Sequence, residues 1–192
     1  YYWEGSLVKA ADILKGVESG IADVGEVITL YTVAQLPLNQ ITSLPGTSPN
    51  PLAVALAWEE MAQTVPEVKA EFAKFNQELV FVQSTYEYNL QLAKPLRTLA
   101  EMKGVKIRAF GAAYPKLITQ AAGLVPVTIA AAEAYEAIMR GTAEGVLSTH
   151  ETAYRYKWYE VAPYMSMWHL GSMATVAVTL NKDVWSKLPP DI

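Results

Sequence analysis

The sequence predicts an α/β protein with mostly parallel sheets. The first observation is an alternation of short strand-like segments with helical segments of about 10–15 residues, which is typical of βαβ units. The second is the composition of the 192 residues, 52% hydrophobic and 18% charged, which indicates a folded globular chain and excludes a disordered one.

The first half of the chain opens with a predicted helix over residues 6–19, where apolar residues recur at helical spacing. Ser6 is its candidate N-cap and Gly20 its stop. The other predicted elements of this half are a strand over 22–28, a proline-rich loop over 36–51, helices over 52–64 and 66–77, and a strand over 78–85.

The second half repeats the alternation and ends in extended segments. Its predicted elements are strands over 105–110, 124–128 and 143–148, helices over 114–122, 131–140 and 151–160, extended segments over 164–169 and 174–180, and a turn over 182–187. Residues 17–25 (VESGIADVG) and 138–145 (IMRGTAEG) share a helix-ending Gly followed by Ala, an acid and a short strand. Two similar lobes, or a chance recurrence of a common turn, would both account for this repeat.

Composition excludes several classes of function. Lys and Arg total 15 against 19 Asp and Glu, so the net charge is -4 and we expect no nucleic-acid partner. Without cysteine there is no disulfide, thiolate metal site or thiol nucleophile. Only His150 and His169 are present, which argues against a histidine-rich metal site, and we expect no cofactor.

The sequence carries no recognised catalytic motif, since GxSxG, HExxH, GxxxxGK[ST] and GxGxxG are all absent. A small α/β enzyme that uses Glu133, Glu144 or His150 as acid or base stays the alternative. The chain begins YYWEGSLVK without the features of a signal peptide, and no apolar stretch is long enough to span a membrane, so we expect neither in this chain.

Arg108 is the strongest candidate for binding. It lies in KGVKIRAF near the carboxyl end of a predicted parallel strand, where open α/β sheets bind ligands. A guanidinium can hold a carboxylate through two parallel hydrogen bonds. The alternatives are an Arg paired with a structural acid such as Glu144, or one that is simply exposed.

Aromatic residues are the second candidate group, with 11 Tyr and 5 Trp against 4 Phe. Such amphipathic rings suit a cleft that encloses an organic molecule. Tyr88 and Trp168, near the expected joints between lobes, are the candidates for lining it.

The central segment KPLRTLAEMKGVKIRAF (94–110), followed by GLVPV (123–127), EAYEAI (133–138) and GTAEG (141–145), resembles the DctP-like solute-binding proteins of TRAP transporters. LKGVESGIADVG, KWYEVAPY and LNKDVWSKLP also fit, so the resemblance spans nearly the whole chain. It implies a two-lobed periplasmic binding protein fold (type II-like), here incomplete at both ends. The lobes would comprise 1–84 and 85–168, with 169–192 returning to the first.

The resemblance also implies a function. A periplasmic, non-enzymatic receptor would close on a small organic acid and deliver it to the membrane permease subunits of a TRAP transporter. Arg108 would bind the ligand carboxylate and Ser148, where the family commonly has Asn, would assist. Tyr86, Tyr88 and Ile28 would line the cleft and favour an acid with an apolar or aromatic body. A ligand-sensing module of a signalling protein is a further alternative.

Overall fold

The computed structural model describes residues 2, 5–44, 46–109, 121–167 and 170–189. The chain forms two compact units. The first comprises Tyr1–Ser43, Leu52–Thr85 and Ala174–Ile192, and the second comprises Leu44–Pro51 and Tyr86–Met173. The chain therefore enters the second unit briefly at 44–51, and that unit extends to residue 173.

The first unit is a three-stranded sheet with helices. Its strands are β1 (Val24–Ile28), β2 (Gln77–Ser84) and β8 (Ala174–Asn181), in the order β1-β8-β2. Its helices are α1 (Ile13–Glu18), α2 (Pro51–Thr64), α3 (Pro66–Ala73) and α6 (Lys182–Trp185), and 3-10 turns span Ala10–Asp12, Thr29–Tyr31 and Leu38–Ser43.

Buried apolar side chains form the core of this unit between the helices and the sheet. Trp58 of α2 and Phe72 of α3 are its largest members. Leu14 of α1, Val27 of β1 and Leu79 of β2 pack in the same cluster. Burial of these side chains provides the main stabilisation of the unit.

The second unit is a five-stranded sheet with helices. Its strands are β3 (Tyr88–Leu92), β4 (Lys106–Ala109), β5 (Val125–Thr128), β6 (Gly145–Thr149) and β7 (Tyr164–Met165), in the order β5-β4-β6-β3-β7. Its described helices are α4 (Ala134–Met139) and α5 (His150–Arg155), with 3-10 turns over Ala100–Met102, Ala131–Glu133 and Trp158–Glu160. Trp158, Val146 and several alanines form a buried cluster against one face of the sheet.

The α/β class is confirmed, but the expectation of mostly parallel sheets is wrong. In the first unit β8 pairs antiparallel with both β1 and β2. β1 and β2 do run in the same direction, yet the strand that returns from the second unit lies between them. In the second unit β4 pairs parallel with β5 and β6, whereas β3 pairs antiparallel with β6 and β7.

The helices predicted over 6–19, 66–77, 131–140 and 151–160 are all shorter in the structure. The helix expected over 6–19 begins only at Ile13, after a 3-10 turn, so Ser6 is not its N-cap. The helix expected over 151–160 ends at Arg155, because Lys157 adopts φ 55° and a 3-10 turn follows. Of the helix expected over 114–122, residues 114–120 lie outside the described residues.

The sequence repeat corresponds to the same helix-ending turn in both units. Gly20 and Gly141 follow the ends of α1 and α4 with φ 72° and 71°. In each copy the next two N–H groups donate to one carbonyl, that of Gly16 in the first copy and of Ala137 in the second. The strands β1 and β6 begin four residues after the respective glycines. The same helix-ending turn therefore places one strand in each unit.

Candidate functional site

Several predicted site residues lie at the edge of the second sheet where β4 and β6 end. β4 and β6 are parallel, so Arg108 and Ser148 lie near the same edge, and antiparallel β3 begins there with Tyr88. The carboxyl ends of parallel strands are where open α/β sheets bind their ligands. The sheet therefore brings three of the predicted site residues to one edge.

The register decides which side chains share a face of this sheet. Arg108 of β4 pairs with Val146 of β6, and Val146 pairs in turn with Gln91 of β3. One step further along β6, Ser148 pairs with Asn89. Because directly paired residues point to the same face, Arg108, Ser148, Asn89 and Gln91 lie on one face. Tyr88, which pairs with Thr149, lies on the opposite face.

The side chain of Arg108 is enclosed and anchored. It is 1% exposed, so the alternative of an exposed Arg is wrong. Its Nε donates to the backbone carbonyl of Ile129 at 2.8 Å, just after β5. Its guanidinium carbon lies 5.7 Å from the centre of the Trp158 ring, within cation–π range. These contacts fix the guanidinium in a low-dielectric environment, where a charge-assisted hydrogen bond is stronger than in water.

Glu144, the acid considered as a partner for Arg108, has a structural role at the other end of β6. Its carboxylate accepts from the backbone N–H of Lys106 at 3.1 Å, and its own N–H donates to the Lys106 carbonyl at 2.7 Å. These two bonds tie the start of β6 to the start of β4.

The arrangement of acids and His150 gives no support to the enzyme alternative. Glu144 precedes β6 and His150 follows it. At about 3.3 Å per residue the two lie about 20 Å apart and cannot share a reacting atom. The pKa of Tyr135 is raised because its hydroxyl donates to the Glu160 carboxylate at 2.9 Å. This pair is exposed to solvent, so it does not form an enclosed reaction site. Within the described residues no cluster of His, Asp and Glu could hold a metal ion.

The other predicted site residues differ in their placement. Ser148 and Tyr88 are buried, and the Tyr88 N–H donates to the Gly171 carbonyl at 3.0 Å. Tyr86 is 64% exposed in the segment before β3. Ile28 ends β1 in the first unit and is half-buried. Trp168 lies outside the described residues.

Sequence analysis missed the residues that line the face beside Arg108. Asn89, Gln91 and Trp158 are buried, and within the described structure the Asn89 side-chain amide, Gln91 Oε1 and Trp158 Nε1 have no hydrogen-bond partner. The strand that carries Asn89 and Gln91 was not predicted at all. Its signal was the alternation in YNLQL of Tyr and Leu with Asn and Gln.

The sequence profile described as "Bacterial extracellular solute-binding protein, family 7" (DctP) matches residues 1–192. A solute-binding protein of Sulfitobacter sp. (strain NAS-14.1) is 31% identical over 104 residues, which cover 54% of this chain and 31% of the relative. Among the described helices, none has both the length and the apolar character needed to cross a membrane.

Solved structures share the fold. DctP7 of Bordetella pertussis, an extracytoplasmic solute receptor binding pyroglutamic acid, is 23% identical with a TM-score of 0.82 over 97% of this chain and 60% of that one. A TRAP solute-binding protein of Rhodoferax ferrireducens T118, in complex with copurified benzoate, is 24% identical with a TM-score of 0.84 over 95% of this chain and 56% of that one. A TRAP periplasmic solute-binding protein of Pseudomonas putida F1, with bound D-glucuronate, is 18% identical with a TM-score of 0.79 over 97% and 61%. This chain thus spans about three fifths of these structures' length.

Proposed function

The chain belongs to family 7 of the bacterial extracellular solute-binding proteins, and from this membership we propose that it is a periplasmic receptor that binds a small organic acid and delivers it to a TRAP-type permease. The members and structural neighbours named above are solute-binding proteins, not enzymes. The observation that carries the proposal is the enclosed, anchored guanidinium of Arg108 near the carboxyl edge of β4 and β6.

Arg108 is the proposed anchor of the ligand carboxylate. Its Nε is already engaged by Ile129, so the guanidinium plane is fixed before a ligand arrives. A pre-organised fork binds a carboxylate with less loss of rotamer entropy than a flexible cation does. Ser148 is the proposed second polar contact, because it lies on the same face one step nearer the edge.

The proposed ligand is a monocarboxylate with an apolar or aromatic body. Relatives of this fold carry pyroglutamate and benzoate, both of which are ring compounds with one carboxyl group. The aromatic candidates Tyr86 and Trp168 are the proposed lining for such a ring. Tyr88 lies on the sheet face opposite to Arg108 and is left out of this proposal. An acid bound in this way would reach a Kd of about 1 µM.

The test replaces Arg108 by Lys, which keeps the charge but removes the planar fork. We expect calorimetric titration with benzoate and pyroglutamate to show binding by the parent chain and at least about 30-fold weaker binding by Arg108→Lys, because charge-assisted hydrogen bonds contribute about 1.5–3 kcal/mol each. Lys106→Gln is the matched control, since it removes an exposed cation from the same strand and face.

Thermal unfolding of both variants separates binding from stability, because Arg108 is buried. A folded Arg108→Lys protein that binds both acids as tightly as the parent would contradict the assignment of the anchor. A loss of binding in Lys106→Gln as large as that in Arg108→Lys would also contradict it, because the proposed anchor does not include Lys106.

A further inference from the structure

We propose that Asn89 recognises an amide group on the bound acid, so that the ligand class is a small monocarboxylate carrying a lactam or carboxamide. The inference rests on the proposed function, because it takes Arg108 as the carboxylate anchor. It names a specificity residue that neither sequence motif nor family membership indicated.

The unpaired side-chain amide of Asn89 is the starting observation. The side chain is 0% exposed, and neither Nδ2 nor Oδ1 has a hydrogen-bond partner in the described structure. Buried polar groups in native proteins are nearly always paired, so an Asn with both amide atoms unpaired requires an explanation. Functional sites are where such costs are retained.

The contrast with Asn39 of the first unit shows that this chain pairs its other fully buried Asn completely. The Asn39 Nδ2 donates to the Val68 carbonyl at 3.1 Å and to Glu71 at 2.8 Å, and its Oδ1 accepts from Trp58 Nε1 at 2.9 Å. Both residues are 0% exposed. The unpaired state is therefore specific to the position of Asn89.

The position of Asn89 relates it to the anchor. Asn89 shares a sheet face with Arg108, two strands away and one two-residue step nearer the edge. Strand spacing and rise place the two Cα atoms about 12 Å apart. Ser148 lies directly between β3 and β4 in the row of Asn89.

The unpaired atoms define the chemistry of the group. Asn89 offers a donor and an acceptor, which a second amide matches with two reciprocal hydrogen bonds. Gln91 Oε1, an acceptor, and Trp158 Nε1, a donor, are also unpaired on this side of the sheet. A second carboxylate has only acceptors and would leave the two carbonyl oxygens unpaired, so the face selects a neutral amide.

Enclosure applies equally to the anchor and to Asn89. Arg108 is 1% exposed and Asn89 is 0% exposed. Admission of a carboxylate to Arg108 therefore requires this region of the second unit to open, and we expect the same opening to uncover Asn89.

The experiment compares two acids with the same ring size. Pyroglutamate carries a lactam, whereas cyclopentanecarboxylate lacks both the N–H and the C=O. We expect the 192-residue chain to bind pyroglutamate about 10- to 100-fold more tightly in calorimetric titration, and Asn89→Leu to reduce this ratio to about 2-fold. Arg108→Lys should weaken both acids and leave the ratio unchanged.

Thermal unfolding supplies a second measurement that does not depend on the ligand. Replacement of an unpaired buried amide by an apolar side chain of similar size should raise Tm, by about 2–4 °C for Asn89→Leu. Asn39→Leu, which removes a fully paired amide, should lower Tm.

The outcomes separate the two proposals. The inference is overturned if the parent chain binds both acids with equal affinity, or if Asn89→Leu keeps the preference for the lactam. In either case Asn89 does not recognise an amide, but the proposed receptor function stands. If the parent chain binds neither acid, nor any other small carboxylate, the receptor proposal is overturned and the inference with it.

Discussion

Glu71 illustrates how much a single buried side chain can organise. Its carboxylate accepts from the backbone N–H groups of Leu38, at 2.9 Å, and of Asn39, at 3.2 Å. The Asn39 side chain donates to the same carboxylate and accepts from Trp58. Glu71 therefore fixes the 3-10 segment Leu38–Ser43 against α3, and the bond between Asn39 and Trp58 ties the same segment to α2.

Removal of this carboxylate should destabilise the first unit. We expect Glu71→Ala to lower the free energy of unfolding by about 3 kcal/mol, because buried donors on Leu38 and Asn39 lose their acceptor. Urea denaturation followed by circular dichroism measures the change. Glu67→Ala, an exposed acid in the first turn of the same helix, is the control and should stay within about 0.5 kcal/mol of the parent. Similar losses in both variants would contradict the network.

Sequence analysis found Arg108 but not the residues around it. An Arg in an apolar strand stands out in a sequence, whereas a buried Asn in YNLQL reads like the exposed half of a surface strand. Which face of β3 is covered depends on the packing of Trp158 and its neighbours, far along the chain. Arg108 could therefore be singled out as a candidate from the sequence, and the residues around it could not.

At the scale of elements, the repeated helix-to-strand turn is the feature that sequence and structure share most closely. Both copies need a left-handed Gly, and each Gly has open space where a Cβ would stand. The cost of a side chain there is therefore backbone strain alone.

Each turn should be weakened to a similar degree by alanine. We expect Gly20→Ala and Gly141→Ala each to reduce the free energy of unfolding by about 1–2 kcal/mol, since the left-handed conformation carries this cost for an L-residue. Chemical denaturation provides the measurement. Arg140→Ala, next to Gly141 but in right-handed conformation and with an exposed ion pair, should change stability by less than about 0.5 kcal/mol. No loss in either Gly variant would refute the role of the turn.

The order and direction of strands could not be predicted at this scale. The segments that became β1, β2, β4, β5 and β6 were expected as strands with ends correct within about three residues. β8 was expected as extended, yet its insertion between β1 and β2 made the first sheet antiparallel. The pairings of β8 join residues between 90 (Ser84 and Ala174) and 156 (Val24 and Leu180) positions apart, which local pattern does not encode.

At the scale of the whole molecule, ligand binding should stabilise the folded chain by mass action. An acid at 100 times its Kd contributes about 2.7 kcal/mol, which should raise Tm by about 5–10 °C for a chain of this size. Differential scanning fluorimetry against a set of small carboxylates measures the shift. The corresponding neutral alcohols serve as controls. A rise in Tm with the alcohols and not with the acids would contradict recognition through a carboxylate.

The sequence alone determined the α/β class, the two matching turns and the candidate anion anchor, because these depend on residues close together in the chain. A segment of about ten residues is enough to recognise local periodicity, a glycine at a helix end or an Arg at a strand end. Tertiary structure alone decided the strand order, the enclosure of Arg108 by Ile129 and Trp158, and the unpaired amide of Asn89 beside it. Those features arise where distant segments pack together, and the identity of the packing partners is a property of the fold rather than of any one segment.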